Sequence, residues 1–169
     1  MPDQNNRRIF VPPQIEKLVD QMGLFIQYWG FKKIHGQIWA HVWLAKNPID
    51  ATTLVQRLGV SKALVSLAIK DLLHYDVIKT VNHGDRRRLL LIANTDVQTV
   101  ISNVLKQRES VMLNAILKSQ DSIDLLEQKN KDKFDLDQDR LDQMKMMTAM
   151  AEMALSSLIK NNLDLDQYK

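Results

Sequence analysis

Apolar residues in the first half of the chain recur every three or four positions, and this spacing predicts a series of amphipathic helices. The first predicted helix runs from Ile15 to Trp29, and the second runs from Lys33 to Lys46. Two shorter helices follow, from Ala51 to Leu58 and from Ser61 to His74, and the pair Gly59-Val60 separates them. A helix, a tight turn and a second helix in this order predict a helix-turn-helix.

Two runs of aliphatic and β-branched residues come next, from Val77 to Val81 and from Leu89 to Ala93. The polar segment between them, Asn82 to Arg88, contains Asn and Gly, which are typical of a hairpin turn. A hairpin directly after a helix-turn-helix gives the order of elements in a winged helix. We therefore predict a mainly α fold. It combines a winged helix-turn-helix, with a small β-hairpin wing, and long N- and C-terminal helices that form a dimerisation region.

Most of the chain after the hairpin is also predicted to be helical. One helix is expected from Asp96 to Lys118, with a brief break between Ser119 and Asp124. The polar segment from Gln128 to Asp139 is interpreted as a loop or a frayed helix end, and a last helix is expected from Gln138 to Asn162. Apolar residues in the last helix alternate by three and four positions, as they do in a coiled coil.

This last helix carries more apolar surface than one neighbouring helix can cover. Four further methionines widen its apolar stripe, and methionine is common on surfaces that repack. We expect one side to pack on its own subunit and the other on a second copy; one wide face inside a single chain is the alternative. The predicted dimerisation residues are Leu18, Met22, Leu141, Met144, Ala151, Leu155 and Leu158.

The helix from Ser61 to His74 is the candidate recognition helix, and Ser61 is its expected N-cap. We predict that Leu64, Ile69, Leu72 and Leu73 face inward and that Val65 and Ala68 lie at the margin of that face. The predicted outward residues are Lys62, Ala63, Ser66, Leu67 and Lys70. Small side chains allow close approach to a groove, and Ser and Lys reach bases and phosphates. A plain surface helix with two lysines is the alternative.

Three consecutive arginines, Arg86, Arg87 and Arg88, lie beside the predicted hairpin turn. They would repel one another on an ordinary surface, whereas a polyanion beside the loop would stabilise them, and arginine suits insertion into a narrow minor groove. A solvated run of charge is the alternative. The predicted DNA-binding residues are therefore Ser61, Lys62, Ala63, Ser66, Lys70, Arg86, Arg87 and Arg88.

The charge of the 169-residue chain is unevenly distributed, although its formal net charge is only +3. Residues 1–95 contain 13 Lys and Arg against 7 Asp and Glu, which gives +6. Residues 96–169 contain 10 against 13, which gives −3. The basic half includes the helix-turn-helix, as expected of a region that binds a polyanion.

At these residues the chain resembles a known family. The run from Pro48 to Ala93 is similar to the winged-helix domain of the MarR superfamily, and Asp85 and Arg87 match the Asp-x-Arg element of that family's wing. The resemblance extends over roughly residues 15–96. It implies a homodimeric transcriptional regulator, often a repressor.

Within that superfamily the chain resembles the GbsR branch more closely. The matching features are Gly30 near the end of the first helix, Gly36-Gln37-Ile38-Trp39 at the start of the second, and the recognition segment from Gly59 to Ser66. This closer resemblance implies a regulator sometimes tied to the uptake and synthesis of choline or glycine betaine.

Five of the ten aromatic residues fall within sixteen positions, and all three tryptophans are among them. Aromatic rings attract quaternary ammonium groups by cation–π interaction, so these residues are a candidate effector-binding cage. Packing in the core is the alternative. The predicted effector-binding residues are Tyr28, Trp29, Phe31, Trp39 and Trp43.

Several classes of function are disfavoured by the sequence. The absence of cysteine rules out a disulfide framework and a Cys-based zinc site. His35 and His41 are six positions apart, which does not bring them together on one helix face. No Gly-rich phosphate loop or nucleophile–base constellation is visible, so we predict neither an enzyme nor a bound cofactor or metal. No membrane-spanning apolar run and no signal peptide are visible, so we expect a cytoplasmic protein without a membrane partner.

We divide the chain into an N-terminal arm with two helices (1–47, for dimerisation and effector binding), a DNA-binding region (48–95) and a C-terminal helical dimerisation region (96–169). The predicted function is sequence-specific regulation of transcription by a homodimer on a pseudo-palindromic duplex, and the resemblance implies repression. Its partners are double-stranded DNA, a second copy, and a small effector such as a quaternary ammonium compound. A winged-helix protein-interaction or scaffold module is the alternative.

Overall fold

The computed structural model describes residues 8–81 and 89–164, with side chains as far as residue 160. The chain divides into two compact units, residues 1–95 and 96–169. The first unit contains α1 (Pro13–Tyr28), α2 (Lys33–Trp43), β1 (Ile49–Asp50), α3 (Ala51–Leu58), α4 (Lys62–His74), β2 (Ile78–Val81) and β3 (Leu90–Ala93).

The three strands form one antiparallel sheet in the order β1-β3-β2. In this sheet β3 pairs with β2 through Ile78 opposite Ala93, and with β1 through Ile49 opposite Leu91. The two strands of the hairpin were predicted from the sequence. The additional strand β1 was not, because its two residues are too few to show an alternating pattern.

A hydrophobic core joins the helices of the first unit to the sheet. Ile38 of α2, Leu54 of α3 and Val65 of α4 are 0 % exposed and lie in the same cluster. The sheet contributes side chains from each of its strands. The other buried members are Ile34, Val42, Ile49, Ala68, Ile69, Leu72, Ile78 and Leu91.

Two glycines allow α1 and α2 to pack closely. A Cβ on Gly36 would lie 2.5 Å from the carbonyl oxygen of Met22 and 2.8 Å from the Cβ of Ile26. A Cβ on Gly23 would meet the Cγ atoms of Gln37 and Lys33 at 2.8 and 2.9 Å. The contact at Gly36 is with backbone, which cannot move aside as a side chain can, so this position requires glycine.

The second unit begins with one long helical run. It consists of α5 (Val97–Val104), a π-helical segment (Leu105–Glu109) and α6 (Ser110–Asp124), and it is followed by α7 (Gln128–Phe134) and α8 (Gln138–Asp164). The predicted break between Ser119 and Asp124 is wrong, because α6 continues through it to Asp124, and Leu125 is its C-cap. The predicted loop from Gln128 is helical for its first seven residues, as α7.

Both α5 and α6 pack against α8. Their contact with α8 is partly polar. The buried polar residues are Ser102, Gln120 and Thr148, and Gln120 Nε2 donates a hydrogen bond of 3.0 Å to Thr148 Oγ1. Thr148 Oγ1 in turn donates to the carbonyl oxygen of Met144 at 2.9 Å. Apolar side chains are also buried on α8, namely Leu141, Leu155 and Ile159.

Many larger apolar side chains of the second unit point away from this contact. On α8 the exposed ones are Met144, Met146, Met147, Met150, Met153 and Leu158. On α5 and α6 they are Val97, Ile101, Val111, Met112 and Ile116.

The predicted fold class is confirmed: a mainly α chain that carries a winged helix-turn-helix with a small sheet and long helices at both ends. Within the described residues, no helix combines the length and the low polarity that crossing a bilayer requires.

Candidate nucleic-acid interface

The helix-turn-helix is fixed by local hydrogen bonds at three positions. The Asp50 carboxylate accepts from both the backbone N–H and the hydroxyl of Thr53, each at 2.8 Å, and so caps α3. Gly59 ends α3 with φ 65°, a left-handed conformation that glycine adopts without strain. Ser61 Oγ accepts from the N–H of Leu64 at 3.2 Å and caps α4. These bonds set the direction in which α4 leaves the turn.

The exposed face of α4 carries the predicted DNA-reading residues. Lys62, Ala63, Ser66 and Lys70 are all exposed, and so is Ser61 at the cap. Leu67 lies on the same face and is 49 % exposed. The exposed surface of α4 therefore carries small, hydroxylic and cationic side chains together with the large apolar side chains of Leu64 and Leu67.

The buried face of α4 differs from the prediction. Val65 and Ala68 were placed at its margin but are 0 % and 2 % exposed, and they form its centre together with Ile69 and Leu72. Leu64, which was predicted to face inward, is 38 % exposed. The helix has apolar residues at eight of its positions, so their spacing alone did not determine which of them pack inward.

The structure describes the two strands of the wing, β2 and β3, but not residues 82–88 between them. The predicted DNA-binding residues Arg86, Arg87 and Arg88, and Asp85 beside them, fall in residues 82–88, outside the described chain. Their assignment stays a prediction from the sequence.

The base of the wing is fixed by Asn94, which follows β3. Its side-chain amide donates to the carbonyl oxygen of Asp76 at 2.9 Å and to the Asp76 carboxylate at 3.1 Å. Its backbone N–H donates to the carbonyl oxygen of Val77 at 3.1 Å. Asp76 has φ 57°, so this bonding stabilises a left-handed residue in the connection from α4 to β2. The start and the end of the hairpin are thereby joined.

A polar contact links α2 to α4. His35 is 5 % exposed, and its Nε2 lies 3.0 Å from Oδ2 of Asp71 on α4. The backbone N–H of Lys32 donates to His35 Nδ1 at 3.1 Å. Because Nδ1 accepts this bond, the proton of a neutral ring is on Nε2 and is donated to Asp71. The sequence does not show this pair, because its members are separated by 36 positions.

The N-terminal arm contacts the helix-turn-helix. The N–H of Ile9 donates to the carbonyl oxygen of Gln56 on α3 at 3.1 Å. Arg8, the residue before it, forms an ion pair of 3.0 Å with Glu16 of α1 and lies close to Gly59. This part of the arm was not recognised from the sequence, since a backbone hydrogen bond leaves no pattern in side chains.

A shallow cavity of about 260 Å³ lies between this arm, the end of α2 and the end of α3. Apolar side chains from the arm line it, together with Lys46, Arg57 and His41. Burial and, to a smaller extent, the charge of Arg57 together lower the pKa of His41 from 6.5 to about 4. His41 is therefore neutral at pH 7, and the charge on the cavity wall comes from the two cations.

The structure describes three separate groups of ring contacts that involve the predicted effector-binding residues. Trp29 packs edge-on against Phe25 and Tyr28, with centroids 6.3 and 6.2 Å apart. Phe31 packs against Tyr75 at 5.6 Å, and Trp39 against Trp43 at 5.2 Å. Tyr28 is 86 % exposed, so a cation bound there would keep most of its water. Cation–π attraction is weaker at such exposed sites than at desolvated ones.

No family model matches the chain, and no curated protein matches it. A solved structure described as a transcriptional regulator superimposes with a TM-score of 0.61, covering 90 % of this chain and 99 % of its own, at 15 % identity. The apo form of MarR from E. coli gives 0.40, covering 57 % and 76 %, at 12 % identity. A mutant MepR from S. aureus bound to an oligodeoxyribonucleotide gives 0.36, covering 81 % and 90 %, at 13 % identity. The first likeness shows a shared fold.

The predicted dimerisation residues divide into exposed and buried positions. Leu18, Met144 and Leu158 are 47 %, 53 % and 57 % exposed, and Ala151 is exposed as well. Met22 is half-buried in the first unit. Leu141 and Leu155 are 6 % and 9 % exposed. The alternating stripe on α8 is thus shared between a face that packs inside the unit and a face that does not.

No group of three or more potential metal ligands occurs in the part of the chain that the structure describes.

Proposed function

We propose that this chain is a sequence-specific DNA-binding regulator of transcription that acts as a homodimer and inserts α4 into the major groove. The observation that carries this proposal is the exposed face of α4, where Lys62, Ala63, Ser66 and Lys70 lie together on a helix that is capped by Ser61 and seated on the core through Val65. A helix that enters the groove needs small side chains for close approach and donors for bases and phosphates.

The apolar side chain of Leu67 should favour one base over the others at the position that it contacts. Leu67 is half exposed, and it has no group that can form a hydrogen bond with a base edge. An apolar side chain in the major groove makes its specific contact with the C5 methyl group of thymine. We therefore expect thymine at the bound position nearest Leu67.

The wing supplies the second part of the proposed DNA contact. Arg86, Arg87 and Arg88 lie between β2 and β3, whose base is fixed by Asn94. Their positive charge suits phosphates or a narrow minor groove beside the bound major groove. Replacing Arg87 by Ala should weaken DNA binding without changing the unfolding transition. Equal affinity of the variant and the wild type would contradict this role of the wing.

A second copy of the chain is the proposed partner of the exposed apolar residues of α8. Met144, Ala151 and Leu158 are spaced by seven positions along the helix and are all exposed. This spacing places them on one strip, as in a coiled-coil seam. A dimer would present two α4 helices to half-sites about one turn of DNA apart. Repression is favoured over activation by the resemblance to the MarR superfamily.

We also propose that a small effector binds to the first unit. The aromatic residues Tyr28, Trp29, Phe31, Trp39 and Trp43 are the proposed site for a quaternary ammonium group such as that of choline or glycine betaine. The cavity beside His41 is unsuited to a cation, because Lys46 and Arg57 line it. A shift of DNA affinity by either compound that is lost in Trp39→Leu would support the aromatic site.

The experiment that tests the main proposal is a titration of the protein against duplexes that it selects from a random-sequence pool, followed by fluorescence anisotropy. We expect the selected duplex to bind more tightly than its scrambled counterpart, and we expect added salt to weaken both. Replacing thymine by deoxyuridine at single positions tests the contact of Leu67. Failure to bind any duplex at low salt would instead favour a protein-interaction or scaffold module.

The homodimer is tested separately by sedimentation velocity. Met144→Glu and Leu158→Glu should shift the protein towards the monomer, because each would place a carboxylate in the proposed apolar seam. Asp139→Glu, on the same helix but conservative in charge, is the matched control. A wild-type protein that remains monomeric at micromolar concentration would overturn this part of the proposal.

A further inference from the structure

The N-terminal arm places a cationic side chain next to the turn of the helix-turn-helix. The hydrogen bond from the N–H of Ile9 to Gln56 fixes the arm to the last turn of α3. The residue before it, Arg8, then lies with its Nε 3.6 Å and its Cζ 3.8 Å from the position that a Cβ on Gly59 would occupy. The guanidinium is therefore in contact range of the turn between α3 and α4.

This turn leads directly into the part of α4 that enters DNA in the proposed function. Gly59 is two positions before the cap, Ser61, and three before Lys62, the first residue of α4. In helix-turn-helix proteins the N-terminal residues of the recognition helix contact base edges, so the phosphates of the groove edge pass close to the preceding turn. A cation at this turn faces the polyanion.

We propose that Arg8 binds a backbone phosphate of duplex DNA beside the N-terminus of α4, and that Glu16 holds its guanidinium in the absence of DNA. This inference rests on the proposed function and assigns to the arm a DNA contact that is additional to α4 and the wing. Arginine suits the role because its planar guanidinium can form two parallel hydrogen bonds with a phosphate.

The ion pair with Glu16 is suited to being exchanged. Arg8 Nη2 lies 3.0 Å from Glu16 Oε1, and the two side chains are 66 % and 47 % exposed. An ion pair in such contact with water contributes little to stability. A phosphate can therefore replace the carboxylate at small cost, while the backbone bond at Ile9 keeps the arm on α3. Glu16 then acts against binding, because it competes for the guanidinium and repels the phosphates.

The test compares salt dependence in four variants of the full-length protein, with the duplex that the wild type selects. Arg8→Ala should reduce the slope of log affinity against log salt by about one unit per bound protomer, and should weaken low-salt binding by about fivefold. Arg140→Ala is the matched control, because Arg140 is also an exposed arginine paired with a nearby carboxylate, at Asp137. It should leave the slope unchanged.

Glu16→Gln gives a change of the opposite sign. It should tighten DNA binding about threefold, since it frees Arg8 and removes a negative charge. In the double variant Arg8→Ala/Glu16→Gln, most of this gain should disappear, because there is no guanidinium to release. Circular dichroism of each variant checks that the fold is retained.

The outcomes separate this inference from the function on which it rests. If the wild type binds duplex DNA and Arg8→Ala keeps the full salt slope, the arm does not contact phosphate and the inference is overturned. An equal effect of Glu16→Gln with and without Arg8 would overturn the exchange of partners. If the wild type binds no duplex, both the proposed function and the inference fail.

Discussion

The two units of this chain distribute their apolar residues in opposite ways. In the first unit, side chains such as Ile38, Leu54 and Val65 are wholly buried in one cluster that joins helices and sheet. In the second unit, Ser102, Gln120 and Thr148 lie in the contact between the helices, and methionines of α8 are exposed. Burial of apolar surface drives folding, and the first unit has such a buried cluster. The second unit leaves exposed apolar faces of the kind that mark interaction surfaces.

This difference corresponds to the two tasks of the proposed function. A DNA-reading helix must be held rigidly, and the core beneath α4 holds it. A dimerising helix must leave apolar surface available until the partner arrives. Polar groups such as Gln120 and Thr148 in the internal contact limit which helix faces can pack together, and they contribute less to stability than an apolar contact of the same size.

Truncating one apolar side chain in each unit compares the buried apolar residues of the first unit with the exposed ones of the second. The truncation in the first unit should have the largest effect on stability. Ile38→Ala should lower the free energy of unfolding by about 3 kcal/mol, because it leaves a cavity in a closed core. Met150→Ala, at a position that is 62 % exposed, should cost about 0.5 kcal/mol or less at low protein concentration. Urea denaturation measures both. Similar losses at low concentration would show that the second unit buries Met150 internally.

A second prediction concerns the close packing of α1 against α2 in the first unit. Gly36→Ala should destabilise the protein by about 2–3 kcal/mol, because the added methyl group meets the backbone at Met22. Gly23→Ala should cost less, since two of the three atoms that its Cβ would meet belong to flexible side chains. Thermal unfolding followed by circular dichroism compares the two. A tolerated Gly36→Ala would mean that α1 and α2 are further apart than described.

A third prediction concerns pH and the first unit alone. The folded pKa of His41 is about 4, below its ordinary value of 6.5, so the unfolded chain binds this proton first as the pH falls. The resulting stability is present above pH 6.5 and is lost towards pH 4, by an amount of about 2 kcal/mol.

The measurement is urea denaturation at pH 7 and pH 4.5. The free-energy difference between the wild type and His41→Gln should change between these two pH values. A pH-independent difference at His41 would indicate that its ring is solvated.

The smallest change in stability is expected from replacing a buried polar side chain of the second unit. Gln120 Oε1 is buried without a described hydrogen-bond partner, so Gln120→Met removes an unsatisfied group while keeping the size of the side chain. Thr148 still donates to Met144. We expect a change within about 1 kcal/mol, towards greater stability. A large loss in urea denaturation would show that the bond between Gln120 and Thr148 determines how α6 packs on α8.

The sequence predicted the parts of the fold that depend on local chemistry. Gly59 and Ser61 were identified as helix ends because their backbone freedom or side chains act within three or four residues. The buried face of α4 was predicted incorrectly at Leu64 and Val65, because a helix with apolar residues on most sides has no unique inward direction until its neighbours are known.

For the candidate site, the sequence predicted exposed residues of α4 but not the contacts between distant segments. The outward residues of α4, such as Lys62 and Ser66, are exposed as expected. The contacts of Arg8, of His35 with Asp71 and of Asn94 with Asp76 depend on chain segments brought together only by folding. No spacing in the sequence reports them.

One further consequence follows from the π-helical segment Leu105–Glu109. A π-helical turn accommodates one residue more than an α-helical turn. Deleting one residue from this segment should therefore restore a regular α-helix and leave Gln120 opposite Thr148. The same deletion within α6, before Gln120, would rotate the rest of the helix by about 100°. The long helix thus has one place at which it can lose a residue without changing which of its faces meets α8.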